Sequence, residues 1–595
     1  MAARSTLRST RDFLGVLSKE NQLWIVEDEV DPNLELGCIQ RLVCAQKGPA
    51  ILFTNVKGTK FPVATNLYGS NRRLNLAFGD IPGNFIAQVA ELVQNIMPPS
   101  LSKLWRARNL GWQALKIGTR NRSGGPVLRN KIDPVDLGQL PQIKSWEKDG
   151  GAFVTLPLVY TESPVTGKNN LGMYRVQLFN KNQAGMHIQI NRGGGFHYHE
   201  AESRNMALPA SVFIGGPPAL TIAAIAPLPE DVPEIVFASL LMGGKIDVWK
   251  SGELGKTLLL DADFAISGTI PAHQRKSEGP FGDHYGYYSL RHDYPYLNVQ
   301  SIHHRDKAVF PATIVGRPPQ EDHYIAEFLQ DILEPLFPIV LKNVKKVWAY
   351  EESGVHSLAA TIVKNRYYKE AFTAALRILG EGQLSLTKFL MVTDQDCEIK
   401  DFKALFLKVL ERADFKTDLY ILSNISQDTL DYTGPKVNKG SKAILMGIGD
   451  KKRDLQTNWT GEFTNPAFSQ PVVFCPGALC VKGDSYKDSP DQAKELSKES
   501  TIQGFSMVFL LDEPKAACKS SSDFIWHVFT RFEPAADMVG EQFVDRMHIG
   551  FQGPVVVDCR MKPWYSEALI EDEELLKSVL EKWGGQIDKQ CSKPD

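Results

Sequence analysis

Between about residues 120 and 330 the chain breaks into short runs of β-branched and aromatic residues, at 153–161, 173–179, 186–191, 257–260 and 296–303, divided by Gly/Pro clusters. Strands so short and so divided build a barrel or a sandwich. The flanks read differently. Residues 1 to about 115 alternate helical pattern, near 10–20, 33–45 and 84–97, with strands at 23–26 and 50–53, which predicts a small α/β domain. Ser9 or Thr10 caps the first helix, and Phe13, Leu14 and Leu17 form its apolar stripe. The start MAARSTLRST is Arg/Ser-rich and acid-free, as transit peptides are, but folded structure is expected to begin too early for a cleavable leader. After a helical connection near 322–335, a strand at 388–393, an amphipathic run at 402–412 and a strand at 419–422 predict a strand-helix-strand unit and hence a parallel sheet. A final helix carries Leu575, Leu576, Val579, Leu580 and Trp583 on one side, with Gly584-Gly585 as its expected stop. No internal repeat is legible, and the expected boundaries are 1–115, 116–330 and 331–595.

Composition narrows the function classes. A formal charge of -2 gives no net pull toward nucleic acid or anionic membrane. The apolar stretches, such as 218–229, are cut well before the ~20 residues of a membrane span. Cys38, Cys44, Cys397, Cys475, Cys480, Cys518, Cys559 and Cys591 include no Cys-x-x-Cys pair, which fits free thiols and a cytoplasmic address.

Two segments carry the candidate chemistry. The runs 173–179 and 186–191 read as neighbouring strands whose polar face holds Arg175, Gln177, His187, Gln189 and Asn191. By frequency alone such a face is solvated sheet. Arg192-Gly193-Gly194-Gly195 follows directly, however, and bare backbone beside an arginine suits an anion. Glu278 and Asp283 stand five apart across Gly-Pro-Phe-Gly, a bend able to hold both acids at one pocket with separated proton affinities. Taken alone this is an ordinary surface loop. Tyr285, Tyr287 and Tyr288 weaken that reading, because a surface loop rarely needs so much ring area.

Glu234 is a helix-start acid or an oxygen ligand. With Asn170 and Asn191 it would make an oxygen-only set suited to manganese or magnesium on a phosphate. His197, His199 and His303-His304 read as sheet or loop histidines rather than zinc ligands. Lys388, at the head of a strand, is a phosphate contact or a solvated cap. Gly215 to Pro218 reads as a tight turn first.

The order of NNLGMYRVQ (169–177), GMHIQINRGGG (185–195), PLPEDVPE (227–234), EGPFGDHYGYY (278–288), GRPPQED (316–322), SLTKF (385–389) and FIWHVFTRFEPAADM (524–538) resembles the UbiD family of prenylated-FMN-dependent decarboxylases. The resemblance implies an N-terminal α/β domain, a central split β-barrel holding the flavin, and a C-terminal α/β dimerisation domain with a parallel sheet and a helical tail. It implies Asn170 and Glu234 as ligands of Mn2+, with K+ as a companion ion, and flavin contacts at Met173, Tyr174, Arg175, His187, Ile188, Gln189, Arg192 and Gly193. Lys388 falls at the family's second phosphate contact, and Arg175, Glu278 and Asp283 at its ionic triad. At 191 asparagine stands where the family has a metal-binding histidine, and an amide oxygen binds a transition metal less tightly. At 283 aspartate stands, as in polyprenylbenzoate-type members, where ferulate-type enzymes have glutamate.

Decarboxylation at an sp2 carbon needs an electron sink that no side chain provides, and the family's flavin is that sink. The expected reaction is loss of CO2 from 4-hydroxy-3-polyprenylbenzoate in ubiquinone synthesis. The alternatives are a menaquinone naphthoate precursor, a cinnamate- or ferulate-type acrylic acid, a flavin binder without activity, and a metal-binding scaffold. The expected partners are an aromatic or unsaturated acid, a UbiX-type flavin prenyltransferase as cofactor supplier, and further copies of the chain. A polyprenylated substrate would add peripheral membrane association.

Overall fold

Ser9 caps the first helix, Thr10–Lys19, by accepting a hydrogen bond from Asp12 N at 3.1 Å, and Phe13, Leu14 and Leu17 are buried as the stripe predicts. The computed structural model describes residues 7–95, 111, 115–189, 193–228, 232–251 and 256–592. The expected ends at 96–97 and 190–191 lie outside them.

Two compact units make up the chain. One takes the residues up to Gly316, Gln320–Ile332 and those from Ala568 on; the other takes Arg317–Pro319 and Leu333–Glu567. In the first unit, strands Leu23–Val26 and Ala50–Phe53 fall where expected and pair in parallel across the helix Glu35–Ala45. Val63–Thr65 and Phe310–Pro311 complete that sheet.

The centre of the first unit is a nine-stranded antiparallel sheet. Its order runs Ala152–Val154, Val176–Asn180, Gln183–Met186, Tyr296–His304, Phe264–Ile270, Leu208–Ile214, Pro157–Glu162, Asn169–Gly172, with Asn130–Lys131 added beside Tyr296–His304. Register shifts at Gln183/Ala184 and Ser267/Gly268 bend the strands. Three helices, Gly193–Ser203, Pro218–Ile225 and Glu234–Met242, pack against the edge strand Asn169–Gly172 and cover its open side. The strand expected over 186–191 ends at Met186, and the glycines after it open a helix that carries His197 and His199, which are therefore neither sheet nor loop histidines. Pro218–Ile225 and Glu234–Met242 are apolar all round, so they show no helical stripe.

The second unit holds two five-stranded sheets, and neither is uniformly parallel. The first runs Val344–Ala349, Leu358–Val363, Phe389–Thr393, Lys439–Gly447, Leu419–Ser426. Its three inner strands are parallel, and an antiparallel strand closes each edge. Leu419–Ser426 is thus not the parallel neighbour of Phe389–Thr393, because Lys439–Gly447 lies between them. The second runs Ser469–Cys475, Ala478–Lys482, Met507–Leu511, His548–Asp558, Met538–Asp545 on the same plan.

The last helix, Glu573–Cys591, runs through Gly584-Gly585 instead of stopping there. Trp583 and Ile587 are both buried in the core of the first unit, and that burial outweighs the helix cost of two glycines, about 1 kcal/mol each.

Candidate active site

Arg175 stands one residue before the strand Val176–Asn180, and its carbonyl accepts from His187 N at 3.2 Å, so the pairing of the two strands continues one step past Met186. Glu278 ends the short strand Lys276–Glu278, which pairs with His292–Tyr294. The chain then turns at Gly279-Pro280 and folds back, bridging Gly282 to Tyr288. That return brings both acids onto one guanidinium. Arg175 Nε and Nη2 donate to the two Glu278 oxygens at 2.8 and 2.9 Å, and Nη1 pairs with Asp283 Oδ2. Ser289, which no sequence motif marks, accepts from Arg175 Nη2 at 2.9 Å and from Phe281 N at 3.1 Å. His187 Nδ1 lies 3.4 Å from Glu278 Oε2.

The carboxylate turn is therefore no surface loop: Glu278 is 0% exposed and Asp283 8%. Burial pushes the Glu278 carboxyl up, but the charge and hydrogen bonds of Arg175, with His187, outweigh it and hold the group at about 2. Burial also opposes ionisation of Asp283, yet the hydrogen bond and charge of His284 and the charge of Arg175 keep it well below the usual carboxylate range. Burial and the charge of Arg175 lower His187. In the resting site both acids are ionised around one arginine.

The loop is held from behind by residues that, Gln177 apart, lie outside every motif. Asp149 accepts from Gly282 N at 2.7 Å and from Trp146 N and Ser145 N, and burial still lifts it to about 6. Gln177 accepts from Gly279 N at 2.9 Å, and Gly150 N donates to Pro280 O at 2.8 Å. A Cβ at Gly282 would run into the Trp146 indole, so only glycine allows this approach. Arg41 stacks on Trp146 at 3.9 Å and pairs with Glu571. Leu569 N donates to Gly286 O at 2.9 Å, Ala568 bridges Tyr287, and Leu569 packs on Trp146 and Tyr288. The residues just before the last helix thus strap the acid loop.

A second cluster lies at the edge strand. Glu234 opens the helix Glu234–Met242 and accepts from Leu171 N at 3.1 Å, next to Asn170. Asn170 Nδ2 donates to Tyr174 Oη at 3.3 Å, and Gly194 N donates to the same hydroxyl at 3.3 Å. A Cβ at Gly193 would fall on the Asn170 amide oxygen, so bare backbone at the helix start is what lets that oxygen stand there. An amide oxygen, a carboxylate and the first N–H groups of an eleven-residue helix fit a hard cation together with a phosphate. Among the described residues no group of three or more His, Cys, Asp or Glu could hold a metal ion, so any cation here relies on the asparagine.

Met173 N donates to Ala224 O at 3.2 Å, Ile188 is buried, and Gln189 Nε2 lies 3.5 Å from His187 Nε2. Asn191 and Arg192 lie outside the described residues. Lys388 belongs to the second unit, where it is 1% exposed and pairs with Asp431 at 2.8 Å.

Family models match three stretches: the 3-octaprenyl-4-hydroxybenzoate carboxy-lyase N-terminal domain over 14–93, the Rift-related domain over 119–318 and the C-terminal domain over 323–447. A Chlamydia pneumoniae protein, named as one component of a 4-hydroxybenzoate decarboxylase, is 45% identical over 574 residues, 96% of this chain and 97% of that protein. An Aquifex aeolicus protein of uncharacterised role is 33% identical over 79% of this chain and 96% of its own length. Among solved structures, vanillic acid decarboxylase of Sedimentibacter hydroxybenzoicus in closed form has a TM-score of 0.65 at 23% identity, covering 83% of this chain and all of that one. HmfF of Pelotomaculum thermopropionicum, a UbiD-class enzyme solved with FMN, has a TM-score of 0.61 at 22% identity, covering 74% and 94%. The chain belongs to the UbiD family of carboxy-lyases, the prenylated-FMN-dependent decarboxylases.

Proposed function

We propose that this chain removes CO2 from an aromatic acid of the 4-hydroxybenzoate type, foremost a 4-hydroxy-3-polyprenylbenzoate on the way to ubiquinone, with prenylated FMN as its cofactor. One observation carries the reading: a buried arginine shared by two buried carboxylates, a costly arrangement that a mere flavin binder has no use for. The name of the Chlamydia pneumoniae relative supports a hydroxybenzoate ring.

Bound prenylated FMN would supply the electron sink that decarboxylation at an sp2 carbon requires. Asn170 and Glu234, with Asn191, would hold Mn2+ on its phosphate with K+ alongside. Met173, Tyr174, His187, Ile188, Gln189, Arg192 and Gly193 would hold the remainder, with the nine-stranded sheet serving as the family's split barrel. Arg175 orients the substrate carboxylate and Glu278 anchors Arg175 through two hydrogen bonds. Asp283 protonates the carbon that loses CO2. Glu278 makes two bonds to Arg175 and Asp283 makes one, and the other Asp283 oxygen faces His284, a titratable group beside the acid.

A UbiX-type flavin prenyltransferase would supply the cofactor, the working form would be a homo-oligomer in the cytoplasm, and a polyprenyl tail would bring the enzyme to a membrane surface. The test is reconstitution by co-expression with a flavin prenyltransferase, followed by CO2 release from prenylated benzoates, naphthoates and cinnamates. Wild type is expected to decarboxylate the benzoates, and Asp283→Asn to lose at least about 100-fold in kcat, the usual size of acid catalysis. Undiminished turnover in Asp283→Asn would remove Asp283 from its role. Preference for a cinnamate would move the substrate class.

A further inference from the structure

Asp283 must be reloaded with a proton after every turnover, although it is 8% exposed and held ionised by its neighbours. The loop that carries it closes on itself. Asp283 N donates to Tyr287 O and Gly286 N to Asp283 O, both at 3.0 Å, so His284 and Tyr285 are the two corner residues of a turn ending at Gly286, whose φ is +81°. From that corner the His284 ring reaches back to its neighbour: Nδ1 lies 2.6 Å from Asp283 Oδ1, and His284 N donates to the same oxygen at 2.7 Å. The other carboxylate oxygen belongs to Arg175. The His284 side chain is 28% exposed, against 11% for that of Asp283, so the ring spans from solvent to the acid.

We infer that His284 is the relay through which solvent protons reach Asp283, a role that rests on the decarboxylase reading above. After Asp283 gives its proton to carbon, the imidazolium N–H of His284 breaks at Nδ1 and an O–H forms on Asp283 Oδ1. The imidazole is left neutral, and a solvent proton restores it. One proton enters for each CO2 that leaves. The other charged or titratable groups around this loop are poorly suited to the task. Arg175 does not deprotonate, and Glu278 and His187 are more deeply buried on the far side of Arg175. His292 stands opposite Glu278 in the strand pair, and Asp149 is engaged by the N–H groups of Gly282, Trp146 and Ser145. Tyr285 flanks the ring, with centroids 5.3 Å apart.

His284→Asn and His284→Gln keep an amide N–H beside Asp283 but cannot release and regain a proton. Each reconstituted variant is expected to lose at least about tenfold in kcat with KM within about twofold, to lose the fall of kcat with rising pH, and to regain rate when imidazole is added. Wild-type kcat and pH profile in both variants would overturn the relay, as would loss of rate that imidazole does not restore. A second arm needs no cofactor. In 15N-histidine-labelled apoprotein, Asp283→Asn is expected to lower the pH at which the His284 ring titrates, because the ring loses its anionic partner. An unmoved titration would also overturn the relay. If wild-type holoenzyme released no CO2 from any acid while the ring titration moved, the decarboxylase reading would fail and the histidine-aspartate couple would stand.

Discussion

Two buried carboxylates are held ionised by the cationic groups beside them, and that pairing sets the response of the pocket to pH. The Glu278 value of about 2 lies below the ordinary 4.5. A depressed acid contributes stability that is full above pH 4.5 and lost as pH falls toward 2. At 1.36 kcal/mol per unit the pair is worth about 3 kcal/mol. Asp149 has the opposite sign: its value of about 6 lies above the ordinary 3.8, so its contribution is full below pH 4 and lost as pH rises through 6. Glu278→Gln is therefore expected to flatten the acid limb of urea-midpoint stability between pH 4.5 and 3 and to lower stability at pH 7. An acid limb as steep as wild type would show that the Arg175 pair does not govern it. Glu278 and Asp283 were legible through the family resemblance, since their spacing across Gly-Pro-Phe-Gly alone reads as a surface loop. Ser289, Asp149 and Trp146 were not, because each acts through a backbone N–H or a ring contact that forms only when distant segments meet.

At the scale of elements, the strap from Ala568 to Glu571 does for the acid loop what Ser289 does for Arg175. It fixes one side through the Leu569–Gly286 bond and backs the other through Arg41 and Trp146. Leu569→Ala removes apolar contact with Trp146 and Tyr288 and is expected to cost about 2 kcal/mol. Glu571→Gln breaks a partly buried pair and is expected to speed hydrogen exchange over residues 278–288 while the strands of the second unit exchange as before. Unchanged exchange over 278–288 would detach the strap from the loop. Sequence pattern found the strands at 23–26 and 50–53, where apolar runs are short and clearly ended. It missed the helices at 193–203 and 218–225, where glycine or all-round apolarity hides the 3.6-residue period, and of 234–242 it read only the start at Glu234. It also stopped the last helix at Gly584-Gly585, a local cost that burial of Trp583 and Ile587 overrides.

At the scale of the whole molecule, the second unit repeats itself where no sequence repeat is visible. Both sheets of the second unit have the strand order first, second, third, fifth, fourth, with the same parallel and antiparallel pairs. Phe389 sits opposite Leu358 and Ala443 as Met507 sits opposite Ala478 and Val555, and Ala443 N to Lys388 O matches Val555 N to Ser506 O. The two sheets agree in register and hydrogen bonding while their side chains differ; Lys388 of the first sheet answers to Ser506 of the second. The family's C-terminal model ends at 447, the last residue of the first sheet. One core joins the two, from Leu358, Phe389 and Leu445 to Cys480, Phe509 and Val557. The chain then returns to the first unit for its last helix, where Trp583 is 0% exposed and its indole N–H donates to Glu35 at 2.8 Å. Trp583→Ala is expected to cost about 3–5 kcal/mol, and because Trp583 packs in the core of the first unit, the loss belongs to that unit's unfolding. Calorimetry resolves the two: the transition assigned to the first unit should fall in temperature while that of the second stays. A shift of the second alone would mean that the helix stabilises the molecule by another route.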